Sequence, residues 1–125
     1  MTSMFELEVE GSFAAAHFLR GYKGKCEKLH GHNWLVRLTL SGERLNPQGM
    51  LIDFSDAREF LSRILLEFDH THLNELELFK TQNPTTENIA RAVHEQVSAK
   101  LPEGVRIRRV TVWETPGSNA SYSSS

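Results

Sequence analysis

The stretch Phe5-Glu-Leu-Glu-Val-Glu-Gly11 alternates apolar and acidic side chains without a break. Because successive side chains of a β-strand point to opposite faces of a sheet, this alternation predicts a strand with one buried and one wet face. We place that strand at residues 4–18. A second strand is predicted over residues 31–43, where every second residue is apolar: Trp34, Val36, Leu38 and Leu40.

Beyond a turn at residues 46–49, the apolar period becomes that of an α-helix over residues 55–68, with Asp53 or Ser55 as its N-cap. A second helix begins near Pro84-Thr85-Thr86-Glu87 and ends before Pro102 and Gly104. A third strand is predicted from Val105 to Trp113; we expect Arg108 and Arg109 to interrupt it and Pro116-Gly117 to stop it. No element is assigned to the polar tail, residues 118–125.

The order strand, strand, helix, helix, strand predicts an α+β fold, with an antiparallel sheet that carries both helices on one face. The 125 residues suit one domain, 1–125. Exposed edges of so small a sheet favour pairing with further subunits, so we expect a homo-oligomer.

The composition narrows the classes of partner. A net charge of -2 gives no general attraction to nucleic acid or to an anionic membrane, and we expect neither as a partner. The sequence has no apolar run near the roughly 20 residues of a membrane span and no signal-peptide pattern at its start, so we expect a cytoplasmic protein. There the one cysteine stays a free thiol.

Three histidines suggest a metal site. His30 and His32 stand two apart at the start of a predicted strand, where they share a face, and His17 ends the preceding strand. Three neutral imidazoles suit Zn²⁺ and leave a fourth position open, as in catalytic zinc sites. The competing interpretation is three ordinary structural histidines.

Cys26 lies four residues before His30, and Lys25 and Lys28 flank it. Nearby cations favour the thiolate, which can act as a base or nucleophile, although a lone cysteine can also be a simple packing residue. The lysines 23, 25 and 28, with Arg20, are candidates for holding phosphates.

Two further positions carry candidate chemistry. Asp69 could orient a neighbouring His70 for proton transfer, but a histidine near a helix C-terminus is also favoured by the dipole alone. Glu114 follows Trp113 at a strand end, and its two oxygens could accept paired N–H bonds from an amino-pyrimidinone edge. A solvated carboxylate is the alternative for Glu114.

Together these residues resemble the family of 6-pyruvoyltetrahydropterin and 6-carboxytetrahydropterin synthases. The resemblance covers nearly the whole chain and rests on these segments: Phe13 to His17, Cys26 to His32, Ile52-Asp53-Phe54, Asp69-His70 with Leu73-Asn74, Asn83 to Asn88, and Trp113-Glu114-Thr115. It implies zinc at His17, His30 and His32, a catalytic thiol at Cys26, and a proton-transfer pair at Asp69 and His70. It also implies a pterin anchor at Glu114, assisted by Thr85 and Thr86.

The resemblance further implies the tunnelling fold, whose subunits join their sheets into barrels as trimers or hexamers with active sites between subunits. The implied substrate is 7,8-dihydroneopterin triphosphate. The short chain and the Cys-x-x-x-His-Gly-His spacing favour 6-carboxy-5,6,7,8-tetrahydropterin as the product, with loss of acetaldehyde and triphosphate, in queuosine biosynthesis.

Alternative products stay open at this point. One is 6-pyruvoyltetrahydropterin; the other is 6-hydroxymethyl-dihydropterin for folate, because Glu27 stands beside Cys26 and a related branch uses a glutamate in this neighbourhood to cut the side chain. An alternative of another class is a non-catalytic metal- or purine-binding module.

Overall fold

The computed structural model describes residues 3–24 and 27–124. In these residues the chain forms five strands and two α-helices, and two short 3-10 turns at residues 73–75 and 77–79 precede the second helix. The elements are, in chain order, β1 (Phe5–His17), β2 (His30–Gly42), α1 (Phe54–Leu65), β3 (Thr71–His72), α2 (Thr86–Ser98), β4 (Arg106–Thr115) and β5 (Ser118–Tyr122).

The strands form one sheet in the order β3-β1-β2-β4-β5. Neighbouring strands are antiparallel, apart from the short β3, which is parallel to β1. The pairing of β1 with β2 runs from Phe5 opposite Gly42 to His17 opposite His30. The predicted α+β class and the antiparallel sheet are therefore confirmed.

Both helices pack on one face of the sheet, and the alternation along β1 determines which side chains they cover. A Cβ atom added to Gly11 would lie 2.9 Å from Leu65 Cδ1 of α1, so the odd-numbered residues of β1 face the helices. Val9 and Phe13 on this side are buried. The acidic side chains of β1 point the other way, where Glu10 pairs with Arg37 of β2 at 2.7 Å.

The ends of the predicted elements differ from the observed ones where apolar periodicity continues past a turn. Helix α1 ends at Leu65, three residues before the predicted end, yet Phe68 beyond it is only 2% exposed. The chain leaves the helix through a turn in which the Phe68 and Asp69 amides both donate to Leu65 O. Of the two N-caps proposed for α1, the structure selects Asp53, which accepts from the Ser55 amide at 2.7 Å.

The prediction that Arg108 and Arg109 interrupt the third strand is wrong. Strand β4 is continuous from Arg106 to Thr115. Thr39 pairs with Arg109 and its neighbour Leu40 pairs with Ile107, so Arg108 is the extra residue of a β-bulge within the strand. Strands β3 and β5 were not predicted. Strand β3 has only two residues. Strand β5 has the sequence Ser-Asn-Ala-Ser-Tyr, which has too few apolar residues to show the alternation that indicates a strand.

Neither helix in the described part of the chain combines the length and apolar character that crossing a bilayer requires.

The end of β2 sets a steric limit that can be tested. A Cβ atom on Gly42 would lie 2.6 Å from the backbone oxygen of Gly104, which cannot move aside as a side chain can. We expect Gly42→Ala to lower the free energy of unfolding by about 1–3 kcal/mol, the usual cost of overpacking. The control is Gly117→Ala, where a Cβ atom meets nothing within 4 Å. Equal urea midpoints for the two variants would contradict this packing.

Candidate metal centre and its surroundings

The antiparallel register of β1 and β2 brings the three predicted histidines together. His17 lies directly opposite His30, and His32 lies opposite Ala15, two residues back along β1. Their ring centroids are 4.7 Å apart for His17 and His30, 4.9 Å for His30 and His32, and 5.3 Å for His17 and His32. All three lie on the helix-bearing face of the sheet, at the end where the apolar core stops.

Glu114 joins the histidines from the neighbouring strand β4. Its Oε1 lies 2.8 Å from His32 Nε2 and 3.4 Å from His17 Nε2. One ligand atom from each of His17, His30, His32 and Glu114 can be chosen so that all four lie within 4.8 Å of one another. This group can hold a metal ion.

Backbone carbonyls orient two of the imidazoles. His17 Nδ1 lies 2.8 Å from Pro84 O, and His30 Nδ1 lies 2.8 Å from Lys28 O. A carbonyl oxygen only accepts hydrogen bonds, so each Nδ1 carries the proton and each Nε2 keeps its lone pair. This is the tautomer in which Nε2 can bind a metal, and such outer partners are usual for metal-binding histidines.

The buried nitrogens of the group fit a metal ion. His17 Nε2 and His32 Nε2 are both buried and without a hydrogen-bond partner, although a carboxylate oxygen approaches each of them. Burial lowers the pKa of His32; the Glu114 carboxylate opposes this shift, whereas His17 and His30 add to it. Neutral imidazoles with free lone pairs are the form that metal ions bind, so the residues present fit a metal ion.

Trp34 forms the floor beneath the histidines. Its side chain is fully buried, and its ring meets those of His17 and His32 edge to face at 4.9 and 5.3 Å. On the other side it stacks with Phe13 of the core at 5.8 Å. The floor therefore continues the packed core up to the histidine group and limits how far the rings can turn.

Asp69 and His70 lie outside the histidine group, at the edge of β1. Asp69 Oδ2 lies 2.9 Å from His70 Nδ1, and its Oδ1 accepts from the Ala14 amide at 2.8 Å. The hydrogen bond from Ala14, followed by that from His70, lowers the pKa of Asp69, so the carboxylate stays ionised. Ala14 is three residues before His17, which separates the pair from that metal-site residue by about 10 Å along the strand.

The backbone of His70 is held in an unusual conformation. Its φ is +57°, in the left-handed region that non-glycine residues rarely adopt, and its amide donates to Ala14 O at 2.6 Å. The side chain is 83% exposed. Strain of this kind persists where the surroundings enforce it, and here it presents an aspartate-paired imidazole to solvent.

The proposed pterin contacts Thr85 and Thr86 lie at the start of α2. Thr85 is the N-cap of α2 and accepts from the Asn88 amide at 3.1 Å, and Thr86 is the first helical residue. Both are half-buried and directly follow Pro84, whose carbonyl oxygen orients His17. The start of α2 therefore connects these threonines to the metal centre.

Cys26 and Lys25 lie outside the described residues. Glu27, the next residue, is described: its Oε1 lies 3.9 Å from His30 Nδ1 and accepts from the Leu19 amide at 3.3 Å. The Glu27 amide also donates to Leu19 O at 3.0 Å. These two hydrogen bonds hold the loop before His30 and His32 against Leu19, two residues beyond the end of β1.

Arg20, a candidate for phosphate binding, is already engaged within the chain. Its Nη1 donates to Gln82 O and its Nη2 to Asn74 O, each at 3.2 Å.

Sequence reasoning missed two kinds of residue at this site. Pro84 and Lys28 act through their backbone oxygens. The side chain of Asn74 bonds both the amide and the carbonyl of Phe18. A carbonyl oxygen has no residue-specific signal, so only the fold could reveal it.

The fold and the site define an α+β protein with a group of three imidazoles and one carboxylate, able to hold a metal ion, at the end of an antiparallel sheet. The family model of 6-pyruvoyl tetrahydropterin synthase matches residues 6–125. The chain therefore belongs to the 6-pyruvoyl tetrahydropterin synthase family.

Individual relatives differ in the activity that their names state. The chain is 37% identical to 6-carboxy-5,6,7,8-tetrahydropterin synthase of Synechocystis, over 95% of this chain and 93% of the relative. It is 34% identical to dihydroneopterin monophosphate aldolase of Pyrococcus furiosus, over 82% and 83%. The structure of the Caenorhabditis elegans 6-pyruvoyl tetrahydropterin synthase matches with a TM-score of 0.83 and 29% identity, over 99% of this chain and 98% of that one.

The metal-binding capacity of the group gives a direct prediction. The purified protein should carry about one divalent transition-metal ion per chain, and the double variant His30→Ala, His32→Ala should lose it, because only one imidazole would remain. Mass spectrometric metal analysis of dialysed protein measures this. His70→Ala, which removes an exposed imidazole outside the group, should keep the metal; full metal content in the double variant would rule out this centre.

Proposed function

We propose that this protein is a zinc enzyme that converts 7,8-dihydroneopterin triphosphate and one water molecule to 6-carboxy-5,6,7,8-tetrahydropterin, acetaldehyde and triphosphate, in queuosine biosynthesis. The observation that carries the proposal is the group of three histidines with Glu114 at the sheet end, in a chain whose relatives include an enzyme named for that product. We place the enzyme in the cytoplasm, a reducing compartment in which its single cysteine stays a free thiol.

Zn²⁺ fits the three neutral imidazoles, and when bound it would polarise the hydroxyl and carbonyl oxygens of the substrate side chain. His17, His30 and His32 would hold it through Nε2, because the Nδ1 atoms of His17 and His30 are committed to carbonyl oxygens. Trp34 beneath them closes the site from the core side.

Two proton-transfer groups would serve the side chain. The Cys26 thiol, between Lys25 and Lys28 in sequence, is the proposed base, since nearby cations favour its thiolate. His70 is the proposed partner: Asp69 holds its Nδ1 proton, so Nε2 is left to give or take a proton at the exposed end of the ring.

Recognition of the pterin ring is assigned to Glu114, assisted by Thr85 and Thr86. The carboxylate offers two acceptor oxygens, which match two adjacent N–H groups of an amino-pyrimidinone. It is 33% exposed and therefore reachable. Its 2.8 Å approach to His32 Nε2 also favours a second use, as a carboxylate ligand of the metal.

Aldol cleavage of the side chain, giving 6-hydroxymethyl-dihydropterin, is the second candidate function. A specific observation favours it: the Glu27 carboxylate lies 3.9 Å from His30 Nδ1 and is only 30% exposed, so it is held at the site instead of extending into solvent. The relative from Pyrococcus furiosus, named as a dihydroneopterin monophosphate aldolase, adds support.

Assembly into trimers or hexamers, with sheets joined into a barrel and active sites between subunits, is part of the same proposal. Within the described residues, β3 pairs with β1 only at Ala15 and Ala16, so this edge of β1 is unpaired along residues 5–13. Strand β5 presents the opposite edge of the sheet. Joining the two edges between copies would satisfy these backbone groups and would place the exposed His70 near a neighbouring subunit.

The variant Glu114→Gln separates pterin recognition from metal binding. The amide keeps the size but turns one acceptor into a donor, so substrate binding should weaken by roughly 1.5–3 kcal/mol, the value of a charged hydrogen bond. Isothermal titration with a non-reacting pterin, beside a metal analysis, measures both roles. Loss of metal would assign Glu114 to coordination; unchanged pterin affinity would move the anchor elsewhere.

Product analysis tests the proton-transfer assignments. Cys26→Ala should abolish the carboxy product while the metal stays bound, because the thiolate is the proposed base; any remaining turnover should give 6-hydroxymethyl-dihydropterin through Glu27. Glu27→Gln is the matched variant and should leave the carboxy product nearly intact. Mass spectrometry after incubation with dihydroneopterin triphosphate identifies each product. Carboxytetrahydropterin at the wild-type rate from Cys26→Ala would show that the thiol is structural, and no turnover by the wild type would favour a non-catalytic binding module.

A further inference from the structure

The hydrogen bond that orients His17 differs in kind from the one that orients His30. His30 Nδ1 meets the carbonyl of Lys28, two residues away in its own loop. His17 Nδ1 meets the carbonyl of Pro84, 67 residues away, and the His17 side chain is almost completely buried. The partner of His17 must therefore be held in place by contacts between distant parts of the chain.

Asn83 supplies those contacts. Its side-chain Oδ1 accepts from the Arg20 amide at 2.8 Å, and its Nδ2 donates to Arg20 O at 3.0 Å, so one amide group pairs with both backbone groups of one residue. The Asn83 carbonyl in turn accepts from Asn88 Nδ2 of α2 at 2.8 Å. Asn83 is thus fixed on one side to the chain just after His17 and on the other side to α2.

These contacts close a ring around the metal ligand. Arg20 follows His17 by three residues, Asn83 binds Arg20, Pro84 follows Asn83, and the Pro84 carbonyl returns to His17. Proline holds its own φ near -65°, which limits the freedom of the last link. The direction in which the His17 lone pair points depends on this ring.

We propose that Asn83 is a positioning residue for the metal centre: it sets the Pro84 carbonyl, and through it the tautomer and direction of His17. The inference rests on the metal-binding part of the proposed function and is independent of which pterin is processed. Since Thr85 and Thr86 directly follow Pro84, Asn83 also sets the distance between the proposed pterin contacts and the metal.

The neighbouring Asn74 shows why this role is specific to Asn83. Asn74 makes the same two kinds of hydrogen bond to Phe18: its Oδ1 accepts from the Phe18 amide and its Nδ2 donates to Phe18 O, both at 2.9 Å. Its side chain has no hydrogen bond to the segment that carries Pro84 among the described residues. The two asparagines therefore share chemistry and surroundings but only Asn83 is adjacent to the carbonyl that His17 uses.

The test measures metal affinity by competition with a chelating dye, together with the visible spectrum of the Co²⁺-loaded protein, which reports the ligand geometry. Asn83→Ala should lower the affinity about 10- to 100-fold, the range for losing outer-shell support of a metal ligand, and should alter the Co²⁺ bands. Asn83→Asp, which can still accept from the Arg20 amide but cannot donate to its carbonyl, should fall between wild type and Asn83→Ala.

Asp53→Ala is the control for a general loss of stability. It removes the N-cap of α1, and the Asp53 side chain bonds only Ser55 among the described residues, so it should lower the melting temperature without changing the Co²⁺ spectrum. Wild-type affinity and spectrum in a folded Asn83→Ala variant would overturn the inference and leave the metal centre intact. A wild-type protein that binds no metal would overturn both, and an inactive protein with the predicted affinity changes would overturn only the pterin chemistry.

Discussion

The register between β1 and β2 is the constraint on which the rest of the structure depends. Because side chains alternate between faces along a strand, a slip of one residue would move His30 and His32 to the face opposite the helices. The pairing of Phe13 with Trp34, both buried, opposes such a slip, since it would expose two large aromatic rings. The packing of the core thus fixes the position of His17 opposite His30.

The candidate metal centre is the polar continuation of that core. Along β2 the helix-facing positions change from buried apolar residues to Trp34 and then to His32 and His30, as the sheet passes beyond its helical cover. Burial at this boundary lowers the pKa of His32, which favours the neutral imidazole that a metal ion binds. A carboxylate is acceptable at the same place because Glu114 keeps a third of its side chain in contact with solvent.

The features that could be predicted from sequence were those with a period. The alternation of β1 and β2 and the stripes of both helices predicted the elements to within about three residues, and the strand parity predicted that His30 and His32 share a face. Strands β3 and β5 were not predicted, because β3 has only two residues and β5 is polar, so neither has an apolar period to detect. The approach of Glu114 to His32 escaped because it depends on the pairing of β2 with β4, which no local pattern encodes.

Residues 18–20 show how a short segment without a strand partner is stabilised beside the candidate site. These residues directly follow β1, beyond its last pairing with β3 at Ala16. Asn74 and Asn83 take the place of a neighbouring strand for Phe18 and Arg20, whereas Glu27 pairs with both backbone groups of Leu19 from the other side.

Side-chain amides can replace a strand in this way because each has one donor group and one acceptor in a plane, as a peptide unit does. The arrangement satisfies the backbone groups of Phe18 and Arg20 beyond the last pairing of β3 with β1, at Ala16. Asparagine at these two positions therefore holds the chain that directly follows His17 in place without a neighbouring strand.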